Sequence, residues 1–424
     1  MVILAVLGVQ RVYGIPGTPG VPQAPTVVYE EDFANRAADS NILLTGYTGL
    51  SGMTYSADPY WLDRDNCNGF IVNYDSPYNA GDCDAAFPAF GSVLYNNMLT
   101  LTYALGVHNN AADPEAFPVV SAYSEGDGVD DLIQFQTDSK IPMPSGSNFI
   151  SFSVDVSAVN CASVVQPLLR FYLVDENNIT APVSAAPINP CTDSGSTDVT
   201  VPNPNGGTVQ ARVGTFVAGG AILFDGSELG IVMRNEEGLG LIGNDSAYTN
   251  IRVLNVNPQL DKEFAAPADE YNPGDNIPVT FTITNTTDLA AKSGWSFSDN
   301  LPAGLVIADN PAIVNTCSGG SVTAVAKASS LTVTGNLNDG QAFCRITLNL
   351  SATTTGTFTN GPGNLTVTGL LPPANATVTV TQGSQLADTG MGVGLFATIG
   401  TTLTISSAVG LWLRRKSHLK FILR

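Results

Sequence analysis

Short runs rich in Val, Ile, Thr and Phe recur from Val27 to Val380, broken by clusters of Gly, Pro, Asn, Asp and Ser. Thr280, Thr282 and Thr284 alternate with Phe281 and Ile283, the two-residue period of a half-buried strand. Phe149 to Val154, Leu168 to Val174 and Ile231 to Met233 read as further strands. No long stretch carries the 3.6-residue period of a helix. The pattern predicts an all-β protein of short strands and turns. Residues 27–257 are expected to form one jelly-roll-like β-sandwich, since ~230 residues fit a single all-β domain. After Pro258 the character changes, and residues 258–381 are read as a second β-sandwich.

The ends have a different pattern. Met1 to Val9 is an apolar run with no basic residue before it, and reads as the end of a signal peptide that starts upstream. Val12-Tyr13-Gly14 would serve as a cleavage site, although Arg11 lies beside it. A buried strand is the other reading of that run. Ile15 to Pro25 is a Pro/Gly linker, so residues 1–26 are taken as signal remnant plus linker. At the other end, residues 391–413 hold no charge. These 23 positions (413 − 391 + 1) would span roughly 34 Å as a helix, enough for a bilayer core of ~30 Å. One C-terminal transmembrane helix is therefore expected, followed by a basic tail, 414–424, on the cytoplasmic side.

Composition narrows the class. Hydrophobic residues make up 44% and charged residues 13%, so the chain can build cores and is not a disordered polymer. Its net charge is −20, and Arg414, Arg415, Lys416, Lys420 and Arg424 all lie in the tail, which leaves the exported part more acidic still. Such a field repels nucleic acid and anionic headgroups. Six cysteines allow fifteen connectivities, which sequence alone does not resolve. Neither a C-x-x-C nor a Cys/His cluster is present, so export favours disulfides over zinc. Neighbours within each domain are expected to pair: Cys67 with Cys83, Cys161 with Cys191, and Cys317 with Cys344.

Candidate chemistry is sparse. His108 is the one histidine outside the tail, in a polar His-Asn-Asn stretch that reads as a solvated loop. Glycoside hydrolysis would need two facing carboxylates, for which Glu30, Glu31, Asp32, Glu125, Asp127, Asp130, Asp131, Glu236 and Glu237 are candidates. Solvated turns use the same residues. Glu125 to Asp131 also has the oxygen-rich look of a Ca²⁺ loop without regular EF-hand spacing. Tyr55, Tyr60, Trp61, Tyr74 and Tyr78 cluster around Cys67 and Cys83 among Asn and Asp residues, a kit for stacking on sugars, with Tyr60, Trp61, Tyr74 and Tyr78 as the candidate ligand-binding residues. At least half of these rings are expected to fill the core instead.

Several stretches resemble known families. Leu386-Ala387-Asp388-Thr389-Gly390, placed before the apolar run and basic tail, resembles the cell-wall sorting signal of Gram-positive surface proteins, in an L-A-x-T-G variant used by an actinobacterial sortase class. The resemblance implies cleavage between Thr389 and Gly390 and transfer of Thr389 to the peptidoglycan. Val28 to Phe33 and Gly243 to Val253 resemble the first and last strands of lectin-like, carbohydrate-binding jelly rolls. Those strands lie side by side and often hold a structural Ca²⁺, which here would fall to Glu31, Asp245 and Asn250. Leu260 to Phe264, Pro273-Gly274-Asp275, Val279 to Asn285, Phe297 to Leu305 and Gly356 to Asn360 resemble an Ig-like conserved-repeat module of bacterial surface proteins (DUF11- and DUF7933-like). That family implies a stalk or spacer. Asp299 to Gly304 reads as a turn between its strands.

Ig-like modules of Gram-positive stalks often carry a spontaneous Lys–Asn isopeptide bond, which the resemblance would assign to Lys262, Asn360 and the acid Asp299. Lys262 lies in a strand between Leu260 and Phe264 on one face. Its alternative is a surface position paired with Asp261 or Glu263. The whole reads as a wall-anchored, adhesin-like surface protein binding a glycan or a cell-surface ligand, with sortase and peptidoglycan as partners. No catalytic residues are assigned, and no cofactor beyond a structural Ca²⁺ is expected. The rivals are a wall-displayed glycosidase-like hydrolase and a structural coat or pilus-like subunit.

Overall fold

The computed structural model describes residues 17–84, 88–124, 131–237, 243–267 and 270–382. The signal remnant before residue 17, the acidic stretch 125–130, the sorting residues 386–390, the apolar run 391–413 and the tail all lie outside the described residues. Among the described residues no helix is long and apolar enough to cross a membrane. Those up to Gln382 belong to one compact unit.

Strands dominate, as the period-two runs demand. In the N-terminal half a nine-stranded antiparallel sheet follows the order 197–202, 208–217, 148–158, 246–255, 119–122, 68–72, 42–43. Thr26–Glu31 pairs with Ser246–Asn255, so the first and last strands do lie side by side, with Glu31 opposite Ile251. A six-stranded sheet, ordered 180–182, 169–175, 228–235, 132–137, 55–56, packs against it. Phe152, Val154 and Val156 of one sheet meet Phe171, Leu173, Ile231 and Met233 of the other in a shared core. The alternate residues of the central strand, Ser153, Asp155 and Ser157, are turned to the opposite face and are buried as well.

On that face lies helix α1 (Gly91–His108), an element the sequence pattern did not disclose, whose Leu101 carbonyl accepts from Ser157 Oγ at 3.0 Å. Leu101, Ala104 and Leu105 pack on Val119, Val213 and Ala247 of the sheet. Tyr95, Met98 and Leu99 pack on Phe70, Val72 and the Cys67–Cys83 bridge. The helix is thus apolar on two sides, and a stripe-and-solvent period never develops. Thr100 and Thr102 turn their hydroxyls onto the carbonyls of Asn97 and Leu99, at 2.6 and 2.8 Å, which lets polar letters sit inside it.

The C-terminal module has a five-stranded sheet (259–264, 277–284, 343–352 and 305–307, with 314–315 on 343–352). It also has a four-stranded sheet (318–323, 330–337, 292–300, 365–368) and a two-stranded ribbon (356–360, 376–380). Trp295, Phe297, Phe281, Ile346 and Leu348 centre its core. Asp299, expected in a turn, is instead inside the strand Lys292–Asn300 and fully buried. All three neighbouring cysteine pairs are bridged. Cys317, in the short link just before the strand 318–323, is bridged to Cys344 in the strand 343–352.

The two halves meet in an apolar seam. Phe149 and Val256 pack into the module's core. Gly369 has φ 64°, and a Cβ there would come within 2.7 Å of the Phe149 ring, so no other residue suits the seam. The Pro/Gly segment from Gly17 to Pro25, expected as a free linker, is laid along the module. Gly20 N–H donates to Thr284 Oγ1 (2.8 Å) and Thr287 N–H to the Gln23 carbonyl (2.9 Å).

Candidate functional site

Three strands from the three sheets of the module each bring one polar side chain to a common dry point. Lys262 follows the inward alternation of Leu260 and Phe264 and lies opposite Phe281, its Nζ 5.9 Å from that ring's centroid. Nζ donates to Asp299 Oδ2 at 3.2 Å, and Asn360 Nδ2 donates to the same oxygen at 2.9 Å. The Lys262 and Asp299 side chains are 0% exposed, and Asn360 is equally buried. The surface pairing of Lys262 with Asp261 or Glu263 is not what forms.

Burial sets the protonation. It pushes the Asp299 carboxyl up, against the downward pull of Lys262 and of the Asn360 hydrogen bond. It pushes the Lys262 amine down, against the upward pull of Asp299. Both shifts favour the neutral pair, a free amine beside a carboxylic acid. Asp299 Oδ1 and Asn360 Oδ1 have no hydrogen-bond partner. A half-turn of the Asn360 amide, whose N and O are alike in shape, turns its carbonyl onto Asp299, and a protonated Asp299 then donates to it. In that neutral state and amide orientation the set can supply a nucleophile, an acid and a polarised amide at a point shielded from solvent.

The flanking Asp261 is also buried, makes no side-chain hydrogen bond among the described residues, and is raised by burial from 3.8 to about 6. A carboxyl raised in the folded state stabilises the fold while protonated, and that contribution is lost as pH climbs through the window from about 4 to 6. The rise amounts to at most ~3 kcal/mol. Asp261→Asn is accordingly expected to equal the parent near pH 4 and to exceed it by about 1–3 kcal/mol at pH 7 in urea denaturation. A constant difference between the two pH values would contradict this.

The other candidates are dispersed. Glu31 accepts from Tyr47 Oη (2.8 Å), Phe33 N–H (2.7 Å) and Tyr55 Oη. Asp245 accepts from Asn160 Nδ2 (2.6 Å), and Asn250 Nδ2 donates to Asp155 (2.6 Å). The three residues named for Ca²⁺ thus face three different partners. Among the described residues no group of three or more His, Cys, Asp or Glu is gathered. Glu30, Glu236 and Asp131 each meet an arginine: Arg252, Arg170 and Arg234. His108, at the end of α1, shares a 2.9 Å hydrogen bond with Thr215 Oγ1, which also donates to Asp155.

Of the aromatic cluster, Trp61 is 5% exposed and Tyr60 61%. Tyr74 and Tyr78 are half-buried, edge-on to Tyr103 and Tyr95. They form no common aromatic surface. One feature escaped the sequence reading altogether: an open trough of about 580 Å³ on the outer face of the six-stranded sheet. Its residues are scattered from 131 to 234, and only sheet pairing assembles them.

Among solved structures the chain is similar to the N-terminal domain of the Streptococcus gordonii adhesin Sgo0707 (11% identity, TM-score 0.27), over 62% of this chain and 61% of that one. It is also similar to BcpA, the major pilin subunit of Bacillus cereus (13%, TM-score 0.23), over 54% and 69%. A third similarity is to the type II cohesin dyad of the Acetivibrio cellulolyticus scaffoldin ScaA (12%, TM-score 0.20), over 55% and 87%. The chain thus spans about three fifths of the adhesin domain's length. No curated protein matches it. Residues 258–388, the module that holds Lys262, Asp299 and Asn360, match the family described as a domain of unknown function (DUF7933).

Proposed function

We propose that this chain is a wall-anchored bacterial surface protein whose C-terminal module is a covalently locked stalk presenting the N-terminal sandwich. The observation that carries the reading is the buried Lys262–Asp299–Asn360 set. In the proposed reaction the neutral Lys262 Nζ attacks Asn360 Cγ while Asp299 donates its proton to the carbonyl oxygen. The tetrahedral carbon then collapses and the C–N bond to Nδ2 breaks, so that Nδ2 leaves as ammonia with one of the two Lys262 amine protons, and the other stays on the N–H of the new isopeptide. Asp299 recovers its proton, so the step needs no external reagent. Burial supplies both unusual protonation states, and fixed geometry supplies the encounter.

The placement suits a load-bearing part. Lys262 is in the first strand after the seam, and Asn360 is in the ribbon next to the module's end. A bond between them would carry tension past the 98 positions that separate them (360 − 262). The three disulfides suit an exported chain. Leu386 to Gly390 would hand the chain to a sortase, with peptidoglycan as acceptor. The test is to release the protein from cells with muramidase and map its peptides. A branched peptide joining the Lys262 and Asn360 segments is expected. Linear peptides alone would remove the locked stalk, and absence of muramidase release would remove the wall anchor.

A further inference from the structure

The outer faces of the two N-terminal sheets differ. Helix α1 covers that of the nine-stranded sheet, whereas that of the six-stranded sheet holds the open trough. Leu173, Ile231 and Met233 point into the core, which leaves Tyr172, Gly230 and Val232 to line the trough. Gly230 keeps its floor low, since a Cβ there would come within 3.2 Å of Lys140.

Its charges cancel. Lys140 and Arg234 stand against Asp131 and Asp138. Both cations are already engaged, Lys140 with the Val174 and Asp175 carbonyls (3.3 and 3.0 Å) and Arg234 with Asp131 (3.3 Å). On a chain of net charge −20 such a site gives an anion no advantage. The uncharged polar groups, by contrast, are unspent. Gln136, Asn178, Thr180 and the Tyr172 phenol make no side-chain hydrogen bond among the described residues. Tyr172, half-buried and with the Arg170 guanidinium 5.9 Å from its ring centroid, offers a supported flat ring beside Val232. An apolar ring face rimmed by amide and hydroxyl groups matches a sugar, which has C–H faces and a rim of hydroxyls.

We infer that this trough is a saccharide-binding site that takes a neutral oligosaccharide, with Tyr172 as stacking platform and Gln136, Asn178 and Thr180 as hydroxyl partners. The inference rests on the N-terminal sandwich being the presented part of the surface protein. The purified full chain would be screened on an array of neutral, sulfated and sialylated glycans, beside Tyr172→Ala, Gln136→Ala and Tyr60→Ala. Neutral glycans are expected to bind. Tyr172→Ala should weaken them about tenfold and Gln136→Ala several-fold, with Tyr60→Ala unchanged. Gln136 is a half-exposed surface residue, so its variant keeps the test open if Tyr172→Ala misfolds. Binding of anionic glycans alone overturns the ligand class. Neutral binding that survives both trough variants and falls with Tyr60→Ala overturns the site while leaving a glycan-binding sandwich. Absence of glycan binding in a chain that muramidase still releases overturns the inference and leaves wall display standing.

Discussion

Asp299→Ala is expected to abolish the cross-link and to lower the melting transition of the C-terminal module by about 15 °C. A bond from Lys262 to Asn360 closes a loop of 98 positions (360 − 262), and the chain-entropy relation for loops of that size gives about 4–5 kcal/mol of stabilisation. For a module of this length, 1 kcal/mol moves the transition by roughly 3–5 °C. Alanine removes the acid while Lys262 and Asn360 stay in place, so proximity alone would be left to drive the reaction. Lys262→Met is the companion, because it keeps the apolar stem against Phe281 and loses only the nucleophile. Both variants should melt at similar temperatures, well below the parent. An Asp299→Ala module that melts with the parent would mean that no covalent bond contributes.

Thr389→Ala is the second large effect. If Leu386 to Gly390 is read by a sortase, the enzyme must form an acyl bond to the Thr389 carbonyl and release the chain from Gly390. A pentapeptide altered at that position should not be processed. The protein should then move almost entirely from the muramidase-soluble fraction to the membrane or the medium. Retention in the wall to the parental extent would remove the anchoring proposal and leave the chemistry of the module untouched.

Much of this was legible in the sequence, for reasons that differ element by element. Strands such as Ser330–Leu337 announce themselves because one face is buried and the other largely exposed, which writes a two-residue period directly, whereas in Ile277–Thr284 the alternation is one of apolar residues with threonines, and Thr282 and Thr284 are buried as well. The same period put Lys262 on the Leu260 and Phe264 face, where a lysine is out of place without a partner. Asp299 was recognised as the acid but placed in a turn, because Asn300-Leu301-Pro302 follows and turn residues dominate the local signal. Helix α1 was illegible because it is buried on two sides, so its apolar residues outline no single face. The Tyr60 to Tyr78 cluster was visible as a cluster, yet rings that pack α1 and rings that meet solvent are written with the same letters. The trough could not be read at all, since its residues come from several strands and the loops between them and are far apart in the chain. Glu31 shows the converse, in that an acid in a polar run turned out to be the hub of buried tyrosine hydroxyls.

The most direct test of the locked stalk is the intact mass of the purified chain, made in a host without a sortase, beside its Lys262→Ala variant. After reduction of the disulfides, the two masses should differ by the side-chain change together with one ammonia missing from the parent. A folded parent chain whose mass differs from the variant by the side-chain change alone would contradict the account.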